Sequence, residues 1–238
     1  ALFCQTGTVA EALAASGKVA EVIRVEADPA LLSGAAGRIA PFETVPFEPE
    51  SLDLAVSVLS MQAMNDIPGF LAQVRRALKP DGLFLGALAG AGTLAELRES
   101  LLAAETELAG GVSPRILPFA DVRDAGALLQ RAGLALPVAD IEDTTVRYDT
   151  LFDLAADLRA MGETSPLADR SRKPAGRRLF ARAAEIYAER FSDPDGRVRA
   201  SFSLVWMSGW APHASQQKPL KPGSAKVSLT KILGQAEG

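Results

Sequence analysis

The sequence predicts an α/β fold built on an open, mostly parallel sheet, and three observations carry that prediction. Leu52–Leu59, L-D-L-A-V-S-V-L, is nearly continuous in apolar residues, as a parallel strand covered on both faces must be. Strand patterns at Glu21–Glu26, Leu52–Leu59 and Leu83–Leu88 alternate with helical patterns, the order of βαβ units. A small-residue turn, Cys4-Gln5-Thr6-Gly7-Thr8, leads into a helix and then a strand that ends on an acid, Glu26.

Taken in order, Ala1–Cys4 reads as the tail of a first strand, cut short, and Val9–Ala15 as a helix stopped at Ser16-Gly17. Glu21–Glu26 is the second strand, and Pro29 opens a short helix or turn. Gly34, Gly37 and Pro41 break the next stretch, leaving Phe42–Val45 as a weak third strand. After Leu52–Leu59, Asp66 caps a helix running to Leu78 with Pro68 in its first turn. Lys79-Pro80-Asp81-Gly82 then starts the strand Leu83–Leu88. Thr93–Ala109 and Asp121–Ala132 are helical, the second capped by Asp121 with Asp124 behind it and ended at Gly133. Leu134–Ala139 and Thr144–Tyr148 are extended; Thr150–Met161 and Gly176–Phe191 are helices around the polar stretch Glu163–Pro174. Ser201–Ser208 alternates as a final strand, expected antiparallel, before a tail rich in Pro, Lys and Ser. The domain organisation expected is a core of 1–148 and 201–209, a helical insertion over 149–200, and a tail from 210 to 238.

Of the 238 residues, 48% are hydrophobic and 23% charged, enough for a buried core. A net charge of −4 argues against general nucleic-acid binding, and the aromatics are too sparse for a single-strand stacking platform. One cysteine excludes an internal disulfide and a multi-cysteine metal site, and fits a reducing, cytoplasmic setting. No apolar run reaches the roughly 18–20 residues of a membrane span.

Strand, Gly-containing turn, helix, strand and acid form the layout of a nucleoside-binding unit, in which a carboxylate holds ribose hydroxyls. A dinucleotide site wants three spaced glycines, so that backbone can approach a pyrophosphate; this turn has only Gly7. A nucleoside donor without phosphates asks for less. Glu26 is therefore the candidate ribose acid, against the plainer reading of an acid that ends a strand and meets solvent.

The run P-F-E-P-E-S-L-D-L-A-V-S from Pro46 to Ser57, then Asn65-Asp66-Ile67-Pro68 and R-R-A-L-K-P-D-G-L-F-L from Arg75 to Leu85, resembles the core of class I S-adenosylmethionine-dependent methyltransferases. Within that superfamily the chain is similar to malonyl carrier-protein O-methyltransferases. It is more similar to bacterial counterparts of the mitochondrial complex I assembly factor that has a methyltransferase fold. That second resemblance extends through Ser113–Gly126, Asp157–Gly162 and G-W-A-P-H-A-S-Q-Q-K-P-L-K-P-G-S-A-K at Gly209–Lys226. It implies a Rossmann-like, seven-stranded methyltransferase sheet, mostly parallel with an antiparallel last strand, and a helical insertion before that strand. It also implies S-adenosylmethionine as cofactor and methyl transfer to a small-molecule, carrier-bound or protein acceptor. The alternatives are hydroxylation of a complex I subunit arginine and a binding module that keeps the fold.

The resemblance puts Cys4 and Gly7 in the turn that approaches the methionine moiety, Glu26 and the adjoining Ala27 at the ribose, Glu43 near the adenine, and Leu59 and Ser60 beside donor and acceptor entry. It also marks departures. Ala1 stands in place of an acid, Phe3 and Gln5 in place of glycines, Pro41 in place of an adenine-binding acid, and Gln62-Ala63 in place of a His-Trp pair. Methyl transfer from a sulfonium needs alignment more than side-chain chemistry, so no catalytic residue is assigned.

His213, the sole histidine, reads as a structural or partner contact rather than a base, and Arg147 and Tyr148 as packing and solvent-facing groups. Arg170, Arg172, Lys173, Arg177, Arg178 and Arg182 form a basic cluster. It is either a solvated face or a docking surface for an acidic partner such as an acyl carrier protein or a complex I subunit, which Lys218, Lys221 and Lys226 would extend.

Overall fold

The computed structural model describes residues 1–111, 113–163, 167 and 176–217. Helix α1 (Thr8–Ala15) follows the first turn, and strand β1 (Arg24–Glu26) follows it. A one-turn helix, α2 (Pro29–Leu32), is capped by the Asp28 carboxylate on the Ala30 N–H. Strand β2 is Gly37–Ile39, parallel to β1 with Glu26 opposite Ile39.

The third strand is thus earlier than the sequence predicts. Gly37 does not break the chain there; a Cβ on it would lie 2.9 Å from the Arg24 carbonyl oxygen and 2.8 Å from Leu32 Cδ2. The missing side chain is what lets β2 close on β1 beneath Leu32. Phe42–Val45 is instead a turn, with Glu43 at a φ of 70°.

Strand β3 (Leu52–Val58) runs parallel to β4 (Leu78–Ala89). Between them, α3 (Ile67–Ala77) is capped by Asp66, which accepts from Gly69 N. A Cβ on Gly69 would fall 2.1 Å from Asp66 Oδ2, so this cap depends on the glycine. Helices α4 (Ala95–Ala109) and α5 (Val122–Arg131) follow, and α5 opens on a reciprocal capping box between Asp121 and Asp124. Strand β5 is continuous from Ala135 to Tyr148 where the sequence suggested two pieces. The acids Asp140, Glu142 and Asp143 sit inside it, which an exposed edge strand tolerates. Helices α6 (Leu151–Ala160) and α7 (Arg177–Phe191) lead to β6 (Val198–Trp210), the last strand, antiparallel to β4 and β5 as expected.

The strands form a four-stranded mixed sheet, β3-β4-β6-β5, and a parallel pair, β1-β2. Leu2 joins them: it bridges Val25 in parallel fashion, and its N–H donates to Val56 O at 2.7 Å. Phe3 N–H and Val25 N–H add bonds to Val25 O and Ala1 O. The main core packs Phe70, Leu71 and Val74 of α3 and Leu129 of α5 against Phe84 and Leu88 of β4. A second core joins α4, α6 and α7 around Tyr187, Leu154 and Ile186. It includes Val198 and Ala200 of β6, so the helices are anchored to the sheet's last strand. No helix among the described residues is long and apolar enough to cross a membrane.

Candidate functional site

Because β1, β2, β3 and β4 run parallel, their last residues share one edge, where open α/β sheets bind ligands. That edge carries Glu26, Ile39, the Leu59-Ser60 corner and Gly90 in turn. Glu26 is 1% exposed, so it does not simply end a strand in solvent. Its Oε2 accepts from the Gln5 N–H at 3.3 Å and its Oε1 from Arg24 Nη2 at 3.4 Å. Both bonds are long, and a carboxylate has about four acceptor positions, so capacity for hydroxyl donors remains. Burial pushes the Glu26 carboxyl up, against the opposing pull of the Gln5 N–H and the Arg24 guanidinium.

Arg24 was not singled out in the sequence, where V-I-R-V reads only as strand. It is buried, and its Nη2 also donates to Leu31 O at 2.7 Å and Gln5 O at 3.3 Å.

The first turn departs from the glycine pattern yet adopts a glycine-like backbone. Phe3 and Gln5 stand at φ of 52° and 58°. Gly7 has φ −71° and serves as the N-cap position of α1, so left-handed freedom is not its role. The Phe3 ring is 2% exposed and meets Phe42 edge-on at 5.2 Å and Phe70 at 6.2 Å. It is part of the core floor. Cys4 is buried, its Sγ near the carbonyls of Leu2 and Val56, and burial pushes the thiol up.

The other candidates divide. Leu59 is 41% exposed at a φ of 56°, tied by its N–H to Ala87 O. Ser60 is buried and shares a 3.1 Å hydrogen bond with Ser57. Ala27 is exposed beside Glu26. The Glu43 carboxylate accepts from the Asn65 and Asp66 backbone N–H groups and from Asn65 Nδ2, so it fastens the entry to α3. Two residues of this edge that the sequence reading left out are apolar: Ile39, 49% exposed, and Phe42, 39% exposed. With Leu59 they form an apolar rim at the ends of β2 and β3; for Phe42 the signal available was a large apolar residue stranded in a polar turn, P-F-E-T.

A cavity of about 530 Å³ lies at the opposite ends of these strands, lined by Val22, Ile23, Leu52 and Leu54. Another, of about 410 Å³, lies between α4 and residues 113–118, with Arg98 and the Arg115–Glu105 ion pair on its wall. The segment after it returns to the Glu26 edge of the sheet, where Ala120 pairs with Gly90.

Of the basic cluster, Arg170, Arg172 and Lys173 lie outside the described residues, as do Lys218, Lys221 and Lys226. Arg182 is committed to Glu107 and Glu185, whereas Arg177 and Arg178 are exposed at the start of α7. Arg147 pairs with Asp193 and Asp195. Burial, helped by the hydrogen bond of its hydroxyl to Asp157, pushes the Tyr148 pKa up to about 12. His213 bonds Ser215 in the closing turn.

Residues 3–86 match the family described as methyltransferase domain. A mitochondrial arginine-hydroxylase, NDUFAF5, of Danio rerio is 43% identical over 190 residues, which are 80% of this chain and 59% of that protein. The Homo sapiens protein of that name is 42% identical over 82% of this chain and 56% of its own length. A malonyl-[acyl-carrier protein] O-methyltransferase of Laribacter hongkongensis is 33% identical over 77% of this chain and 59% of that protein. The chain therefore spans little more than half the length of these relatives. Among solved structures, a Bacillus halodurans protein assigned as a methyltransferase superposes with a TM-score of 0.60 at 17% identity, over 89% of this chain and 91% of that one. The YcgJ protein of Bacillus subtilis gives 0.58, over 90% and 92%. Residues 3–86 thus carry the matched methyltransferase domain, and the chain shares its fold with that solved structure.

Proposed function

We propose that the chain binds S-adenosylmethionine at the edge formed by Glu26, Ile39, Phe42 and Leu59 and transfers its methyl group to an acceptor. The observation that carries this is a buried acid with spare acceptor capacity, placed at the end of β1 beside an exposed apolar rim. The residues fit the group. Glu26 takes the ribose hydroxyls, the rim takes the adenine, and the left-handed turn at Phe3 and Gln5 brings backbone close without glycines. Because Glu26 is covered, binding trades the long Gln5 N–H bond for hydroxyl donors. When bound, the cofactor supplies a methyl group on a sulfonium, already a good leaving group. What this chain adds is orientation and exclusion of water, which suffice for such a transfer. The cleft beside Arg98 and Arg115 is the site we assign to the acceptor, since the segment leaving it pairs with Gly90.

We further propose that Ala1 and Leu2 belong to a strand between β1 and β3, making one seven-stranded sheet in the order β2-β1-(1–2)-β3-β4-β6-β5. The Leu2 bonds to Val25 and Val56 support it. Helices α6 and α7 act as a cap beside that sheet, and the lone cysteine supports a cytoplasmic setting. A second reading, action on an arginine of a protein such as a complex I subunit, is favoured by the higher identity to the arginine-hydroxylases.

Titration calorimetry tests the cofactor reading: S-adenosylhomocysteine should bind at micromolar concentrations, and absence of heat would overturn it. The pH dependence has a definite sign. Hydroxyl donors need the carboxylate form, and the folded-state pKa of Glu26 is raised above 4.5. Affinity should therefore fall as pH drops through that raised value, and a flat profile would contradict the role of Glu26. Stability of the ligand-free protein runs the other way. The contribution of protonated Glu26 is full below its unfolded value and is lost as pH rises through the raised one.

For the partner, we propose that Arg177 and Arg178 dock an acidic protein, an acyl carrier protein or a subunit of complex I. Their exposure at the positive end of α7, uncompensated by acids in its first turn, supports this. Reversing both to Glu should cut recovery of that partner in a pull-down, and equal recovery would make this a solvated face.

A further inference from the structure

Phe3 and Gln5 both hold a backbone that L side chains disfavour, but they are held differently. Phe3 is wedged by its ring between Phe42 and Phe70. The Gln5 side chain is exposed, so packing does not hold it. Its peptide groups are held by polar contacts instead: its N–H donates to Glu26, and its carbonyl accepts from Arg24 Nη2. The same nitrogen donates to Leu31 O at 2.7 Å, at the end of α2, which is the shortest and firmest of the Arg24 contacts. The guanidinium also reaches beneath the start of α1, since a Cβ built on Gly7 would lie 3.8 Å from Nη1. One buried side chain thus ties the first turn to α2 and lies beside the N-cap of α1.

We infer that Arg24 is the positioning residue of the first turn: it holds the Gln5 peptide in a left-handed conformation that glycine would adopt unaided, and it keeps that hold when Glu26 turns to a ribose. The last clause rests on the cofactor reading; the first does not. Residue 5 is where the two can be separated. Glycine there needs no clamp, so the effect of losing Arg24 must depend on what residue 5 is.

The test is a double-mutant cycle of Arg24→Met and Gln5→Gly on the full chain. Its readouts are amide hydrogen exchange at residues 5–8 of the ligand-free protein and affinity for S-adenosylhomocysteine. Arg24→Met should speed that exchange and weaken that affinity by about tenfold each, the worth of one charge-assisted hydrogen bond. In the Gln5→Gly background both changes should shrink to within about threefold. Equal losses in the two backgrounds would overturn the inference, because a packing or charge role does not depend on residue 5. Arg24→Lys keeps the charge on a side chain one bond shorter, whose ammonium stops short of the Nη2 position that meets Gln5 O, Glu26 and Leu31 O; it should behave as the methionine variant does, and full rescue by lysine would overturn positioning. Should Arg24→Met not fold, the lysine variant is carried through the same cycle. Failure of the unaltered chain to bind S-adenosylhomocysteine would sink the cofactor reading and leave exchange to decide the clamp.

Discussion

Glu26→Ala is expected to weaken S-adenosylhomocysteine binding by about 100-fold or more, the worth of two hydrogen bonds to a charged acceptor. The same change strips Arg24 of its buried counter-charge, and an unpaired buried charge costs about 3–5 kcal/mol of stability. Affinity and stability would therefore fall together, which alone would not identify the ribose acid. Glu26→Gln separates the two. It also removes the counter-charge but leaves a side-chain oxygen to accept from Arg24, so it should cost less stability in thermal melting than the alanine variant while affinity still drops about tenfold. Unchanged affinity in the glutamine variant, with the fold intact, would mean that another group holds the ribose.

Phe3→Ala should cost about 3–4 kcal/mol in denaturant unfolding, the usual penalty for removing a buried aromatic ring. The substitution leaves the disfavoured φ in place, so no backbone relief offsets the cavity. Its ring is the link between the first turn, the Phe42 rim and α3. Donor affinity should therefore fall as well, although Phe3 lies beneath the rim and is itself covered. A loss below about 1 kcal/mol would show that the ring is not packed as described. A full stability loss with unaltered affinity would show that the floor does not shape the site.

Much of the fold was legible because its signals are local. Asp66 with Gly69, Asp121 with Asp124, and Thr150 ahead of α6 each start a helix where the capping chemistry says they should. The apolar run at Leu52–Leu59 carries β3, parallel to β4 as its pattern says. What was not legible depends on contacts distant in sequence. Gly37 looks like a breaker until Arg24 O and Leu32 are seen pressed against it. The acids of β5 look like a gap between two strands until Trp206 Nε1 is found donating to Glu142 across the β5–β6 pair. In the site, Glu26 could be named from its place after a strand, but its burial could not. Arg24 could not be named at all, because its acceptors, Gln5 O and Leu31 O, lie 19 and 7 residues away and carry no side-chain signature. The resemblance put Glu43 near the adenine, but the bonds of its carboxylate to Asn65 and Asp66 carried no signal in the sequence.

The measurement closest to the central claim is the electron density of crystals grown with S-adenosylhomocysteine. A nucleoside should lie between Gly7 and Glu26, both ribose hydroxyls on the Glu26 carboxylate and the adenine against Ile39, Phe42 or Leu59. Density at another edge of the sheet, or a ribose whose hydroxyls do not touch Glu26, would contradict it.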